Sequence, residues 1–228
     1  METFRADLPV RPLHVVGGNL ALDFANTVDF PDGHAHFDHI QDVPRLLSWA
    51  RNVEVLSDPQ HDELTALVRD RSAVAAASLR RAHALRRSVQ SVFGAIADGQ
   101  PLPEGPWRDL RRSIAEAIGH ADLTANHDQV RLVWGSGSLD AVIWPVAYAA
   151  HELLTGGSLG RVKRCVACPW LYVDHSKNSS RRWCTMDDCG KSEKMRRYVE
   201  RRAARRQAVR QPPTKSAVGP RAGPDGRR

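Results

Sequence analysis

Apolar positions recur with a helical period through most of the first 160 residues, and the pattern changes character beyond Gly160. Between Pro9 and Phe30 the run VVGGNLALDFANTVDF is apolar around a glycine pair, the pattern of a short strand or turn feeding a helix. Residues 31–39, PDGHAHFDH, read as a polar loop, after which Asp42 is placed to cap a short helix carrying Leu46, Leu47 and Trp49. Ser57, Asp58 and Pro59 open the next stretch, where Leu64, Leu67, Val68, Leu85, Val89, Val92 and Phe93 keep a helical spacing until Gly99 and Pro101. It is long enough for one very long helix or two consecutive ones. Trp107, Leu110 and Ile114 mark a further helix from about Pro106 to Ile118, and Val130 to Trp134 reads as a strand closed by GSGS. Leu139 to Leu154 is apolar on all sides, which predicts a central buried helix, bent by Pro145 and ended by Gly156 and Gly157.

This pattern predicts a mainly α fold with minor β: a helical domain over 1–160, a small four-cysteine module with a β-hairpin knuckle and a basic helix over 161–210, and a disordered Pro- and Gly-rich tail over 211–228. A chain of 228 residues can bury a sizeable core. Its longest apolar run, Ala141 to Ala150, is far short of the ~20 residues of a membrane span. The start, METFRADLPV, lacks the apolar run of a secretory signal. No membrane association and a cytoplasmic location are expected.

Charge divides the chain in the same place. Residues 161–228 hold 19 basic against 6 acidic residues, while the other 14 basic and 20 acidic residues lie in 1–160. A basic segment beside an acidic domain points to a polyanionic partner, and Lys and Arg gain by displacing counterions condensed on phosphates. A solvated basic tail explains the same charge with no partner.

All 4 cysteines fall in the basic part, as C-x2-C-x15-C-x4-C: Cys165, Cys168, Cys184 and Cys189. Two close thiolate pairs joined by a connector long enough to fold back meet the demand of tetrahedral zinc. A reducing compartment disfavours disulfides, and four protein ligands leave no open position for catalysis. The expectation is one structural zinc ion. Arg164, Lys177, Arg181, Arg182 and Lys191 can offset the surplus negative charge of four thiolates. Between the pairs, an apolar Trp170-Leu171-Tyr172-Val173 stretch and a polar SKNSS turn predict a small hairpin.

After Cys189, GKSEKMRRYVERRAARRQ reads as a helix, with Met195, Tyr198 and Val199 on one face, suited to packing on the zinc knuckle. Lys194, Arg197, Arg201 and Arg205 line a neighbouring face. With Arg181, Arg182 and Lys191 they form the candidate nucleic-acid-binding set.

The segment RCVACPWLYVDHSKNSSRRWCTMDDCG at 164–190 resembles the CGNR-type zinc finger, and GGNLALDFANTV at 17–28, followed by the Leu46-to-Trp49 helix, resembles the ABATE domain that precedes it in a bacterial family. The resemblance implies a transcription regulator, described as stress-induced, with zinc held by Cys165, Cys168, Cys184 and Cys189. Where the naming motif reads Cys-Gly-Asn-Arg, this chain reads Cys189-Gly190-Lys191-Ser192, and its first knuckle is a tight CVAC followed by Pro169. Lys191 or Lys194 can stand in for the missing arginine as a point charge.

Asp23, Asn26 and Thr27 sit in an apolar segment, where polar groups either tie down a turn or face a small ligand; the structural role is favoured. His34, His36 and His39 with Asp32 and Asp38 can converge on a metal, although a polar loop explains them as well. No phosphate loop, nucleophile elbow or acid pair indicates an enzyme. Zinc-dependent DNA binding is thus the expected function, with the first domain sensing an effector or forming a homodimer. The rivals are a protein- or RNA-interaction adaptor, and a metabolite binder in which zinc is a staple.

Overall fold

The computed structural model describes residues 13–30, 37–125, 127 and 129–210. The chain divides into two compact units, one ending at Gly190 and one beginning at Lys191. In the first, the helices are α1 (Leu20–Ala25), α2 (Val43–Asn52), α3 (Asp58–Asp70), α4 (Ser72–Ala97), α5 (Glu104–Gly119) and α6 (Ile143–Thr155). Among the described residues two antiparallel strand pairs join them, β1 (Asp122–Ala125) with β2 (Val130–Val133), and β3 (Val162–Arg164) with β4 (Leu171–Val173). Among the described residues, the second unit contains one helix, α7 (Lys191–Arg210). The mainly α class with minor β is what the periodicity predicts.

Short polar side chains start α1, α2 and α3. Asn19 accepts the Ala21 N–H at 2.9 Å, Asp42 accepts that of Arg45 at 2.9 Å, and Ser57 with Gln60 forms a reciprocal capping box. Each cap contributes about 1 kcal/mol by satisfying a donor that the helix leaves open. The long apolar stretch resolves into two helices, because Arg71 leaves helical geometry at φ −134° and ψ 61°. Neither Gly nor Pro stands there to signal the break.

Pro145, expected to bend a helix in its middle, stands instead in the first turn of one. The segment opens as a 3-10 turn, Leu139–Val142, and Pro145 is the third residue of α6. A first-turn N–H has no intrahelical acceptor, so proline costs nothing there and helps to start the helix. The hairpin of the cysteine module also differs from expectation. Its turn is the Cys165–Trp170 knuckle, where the Cys165 N–H donates to the Trp170 carbonyl at 2.9 Å. The SKNSS segment instead follows β4 and leads to Cys184.

Helix α4 is the axis of the first unit and packs against α1, α2, α3, α5 and α6, and against both β3 and β4. Its own Val89 and Phe93 are fully buried, together with Phe24, Leu46, Leu64 and Leu110 from other helices. Val162, Leu171 and Val173 of the second hairpin belong to this same core. The hairpin that carries the first cysteine pair is therefore built on the helical core. None of the described helices is long and apolar enough to cross a membrane.

Candidate metal centre and nucleic-acid interface

The knuckle after β3 presents Cys165 and Cys168, and the segment after the SKNSS loop returns Cys184 and Cys189, the latter in a wide helical turn, Met186–Gly190. All four sulfurs lie within 4.8 Å of one another. Cys168 and Cys184 are 3.6 Å apart and Cys184 and Cys189 3.4 Å apart. Sulfurs at the corners of a tetrahedron with zinc–sulfur bonds of about 2.3 Å are separated by roughly 3.8 Å. The spacing and the all-thiolate donor set fit one structural zinc ion, whose chemistry here is to hold the fold. Shared hydrogen bonds, first that from Cys168, hold the Cys165 thiol below its ordinary range, and the same contact pushes Cys168 up. Four thiolates this close need a cation between them.

An apolar and aromatic jacket surrounds the sulfurs. Cys165 and Cys184 are buried with Trp170 and Tyr172, against which Val16, Phe30 and Trp183 pack. Burial raises the Tyr172 phenol to about 12, against the lowering effect of the nearby Arg181 charge. The phenol donates to the Arg181 carbonyl at 2.8 Å, and the Arg181 guanidinium lies 4.1 Å from the Tyr172 ring centroid. That guanidinium also donates to the carbonyls of Trp183, Val16 and Cys184. Arg181, half-buried, thus holds backbone oxygens of the fold through its Nε and Nη2 groups. Arg182, its neighbour, is exposed.

Asp23, Asn26 and Thr27 form the seat of this hairpin. The Asn26 amide donates to the Leu171 carbonyl at 2.7 Å and accepts the Leu171 N–H at 2.9 Å, completing the ladder of β4 with a side chain. Asp23 accepts the Gly17 N–H at 2.7 Å, and Gly17 in turn accepts the Val173 N–H at 2.8 Å. Burial raises the Asp23 carboxyl, with the Gly17 and Val16 N–H groups opposing it. Thr27 donates to the Phe24 carbonyl at 2.8 Å and receives Arg86 at 3.0 Å. The three hold turns and strands together, which supports the structural alternative for them.

His39 lies 3.1 Å from Asp29, and Asp38 is held by Arg86 through two contacts of 2.6 Å. Asp32, His34 and His36 lie outside the described residues, as does the 211–228 tail. The four cysteines are the metal-type cluster among the described residues. Sequence reasoning missed Asp174 and Lys163. The Asp174 carboxyl is fully buried and accepts Lys163 at 2.7 Å, the Ser176 N–H at 2.9 Å and the Arg181 N–H at 3.0 Å. Burial would raise it, but these hydrogen bonds outweigh burial and hold it well below the usual carboxylate range. An acid directly after an apolar strand was the available signal.

Helix α7 is basic throughout, but unevenly so. Its first ten residues hold four basic and two acidic side chains, and its last ten hold five arginines and no acid. Glu193 takes Arg196 at 2.8 Å and Arg197 at 2.8 Å, which keep its carboxyl low, and Glu200 takes Arg196 at 2.8 Å. Lys194, Arg201 and Arg205 are exposed, as are Arg202 and Arg206, which the sequence reading left out. Met195, Tyr198 and Val199, expected as a packing face, are exposed by 62%, 54% and 57%.

A four-thiolate metal centre built onto a helical core defines a structural zinc-finger protein. The chain belongs to the ABATE family, described as "Putative stress-induced transcription regulator", which it matches over residues 18–157. Residues 161–202 match the CGNR zinc finger. Neither description is of an enzyme family. Comparison with curated proteins finds no match.

Proposed function

We propose that the protein is a zinc-dependent, DNA-binding transcription regulator. The observation that carries this reading is the zinc module followed directly by α7, whose last ten residues hold five arginines without a counter-charge. Such a helix gains chiefly from phosphate contact, where each cation releases about one counterion. Arg201 and Arg205 grip the backbone with Lys191, Lys194 and Arg197, although Arg197 must give up its Glu193 contact to do so. Zinc fixes the finger from which the helix leaves, and the family description supports a regulatory role. In this reading the helical domain, 1–160, senses an effector or forms a homodimer in the cytoplasm, and the module, 161–210, engages DNA.

The test is selection of duplex DNA from a random library by the zinc-loaded protein near physiological salt, where binding through phosphates alone is weak. Enrichment of a defined site supports the reading, and a two-fold symmetric site supports the dimer. With Arg201 and Arg205 both replaced by alanine, the slope of log affinity against log salt should fall by about two. Recovery of no DNA, or an unchanged slope, refutes the assignment.

A further inference from the structure

The loop that joins β4 to the second cysteine pair, residues 174–183, is held at every turn. Buried Asp174 binds the N–H groups of Ser176 and Arg181 and the Lys163 ammonium. Lys163 reaches on to the Ser179 carbonyl. Ser176 accepts the Ser179 N–H on its carbonyl at 3.2 Å and the Ser180 N–H on its hydroxyl at 2.9 Å. Arg161 clamps the carbonyls of Asp174 and Ser176 at 3.0 and 3.2 Å. The Arg182 carbonyl accepts the Val166 N–H at 3.1 Å, which ties the far end to the knuckle. Within this frame Ser179 is held at φ +48°, a left-handed conformation that costs a non-glycine residue energy.

The outward side of the same loop is unoccupied chemistry. Lys177, Asn178 and Arg182 are exposed. Among the described residues, the Lys177 and Asn178 side chains have no hydrogen-bond or ion-pair partner, and the Arg182 guanidinium contacts only the Trp183 ring, at 5.3 Å. A frame this constrained has already lost the conformational entropy that binding would otherwise remove. The exposed set also adds a side-chain amide to its cations, whereas residues 191–206 of α7 contain no asparagine or glutamine. Asparagine pairs in two-bond fashion with adenine in the major groove, and arginine with guanine.

We infer that this loop is the base-reading element of the protein: Asn178 and Arg182 contact base edges in the DNA major groove, beside phosphates held by Lys177. The inference rests on the DNA-binding reading and assigns its sequence preference to the loop and its salt-dependent affinity to α7. It therefore predicts a selected site that contains an A·T pair near a G·C pair.

The experiment compares full-length, zinc-loaded wild type, Asn178→Ala, Arg182→Ala and the Arg201→Ala/Arg205→Ala double variant, on the selected duplex and on duplexes changed one base pair at a time. Zinc content and melting temperature are checked first; both loop side chains are exposed, so neither should change. Asn178→Ala should lose about tenfold in preference at one A·T position, with the salt slope and the affinity for unrelated DNA unchanged. Arg182→Ala should do the same at a G·C position. The α7 double variant should weaken all duplexes together and keep the preference. Full preference retained by both loop variants overturns the inference while leaving DNA binding intact. An equal loss on every duplex also overturns it, because the loop would then be a phosphate anchor. Failure of the wild type to select any site refutes the DNA-binding reading itself.

Discussion

The Asn26 amide and the Leu171 peptide close a two-bond ring across 145 residues of chain. Both Leu171 backbone groups are buried there, so the amide satisfies a donor and an acceptor that water cannot reach. Replacing Asn26 with alanine strands both groups and should lower stability by about 2–4 kcal/mol, read from urea unfolding of the zinc-loaded protein. Aspartate is nearly isosteric but loses the donor and brings a charge, so it should be no better. Gly17 is constrained by the same contact zone. A Cβ on it would stand 2.8 Å from the Asp23 nitrogen and 2.9 Å from the Leu22 Cβ, at the start of α1. Gly17→Ala should therefore cost about 1–3 kcal/mol, checked by a lowered melting temperature. That polar residues in an apolar run need partners is legible in the sequence; that Asn26 would pair with a strand so distant in the chain is not, since neither periodicity nor spacing encodes that contact.

At the scale of elements, the sequence pattern was most legible where one physical rule dominated. Apolar spacing and capping residues located α2, α3, α5 and α7, and thiolate spacing located the metal centre. It was less legible where two rules competed. Pro145 signals a bend in mid-helix and a start in a first turn, and only the position of the 3-10 turn before α6 decides between them. The SKNSS segment has turn chemistry, yet the carboxyl of Asp174 makes it a fixed loop instead of a hairpin turn. The placement of β3 and β4 has a consequence for zinc. Leu171 and Val173 are buried in the core that α4 organises, while Tyr172 from the same strand is buried beside the sulfurs. Removing the metal should therefore weaken the helical core along with the finger. With a strong chelator, or with Cys184→Ser, thermal unfolding followed by helix circular dichroism should remain one transition and move to lower temperature. A helical transition at its original temperature would show that the core does not need the hairpin.

For the whole molecule, pH sums these local arrangements into one stability curve. Asp38 is held below its ordinary value: burial raises it, but the side-chain hydrogen bonds and charge of Arg86 outweigh that, aided by the Ile40 N–H and His83. In an acid whose folded pKa is depressed, the unfolded chain binds the proton first, so the stabilisation is complete above the unfolded value of about 4 and is lost as pH falls through the folded value. Asp174 acts in the same direction. Asp23 is raised, so its ionisation opposes folding as pH climbs through its folded value, which makes its contribution opposite in sign. The thiolates add a further acid-sensitive contribution, because protonation expels zinc. These contributions can be separated by comparing wild type with Asp38→Asn at each pH, since zinc loss affects both proteins and cancels in the difference. Near pH 7 the variant should be less stable by about 3–5 kcal/mol, because Arg86 then keeps a buried charge without its partner. As pH falls below about 4 the gap should narrow as wild-type Asp38 takes up its proton. A gap that stays constant down to pH 2 would show that the Asp38–Arg86 pair does not drive the acid limb of the curve.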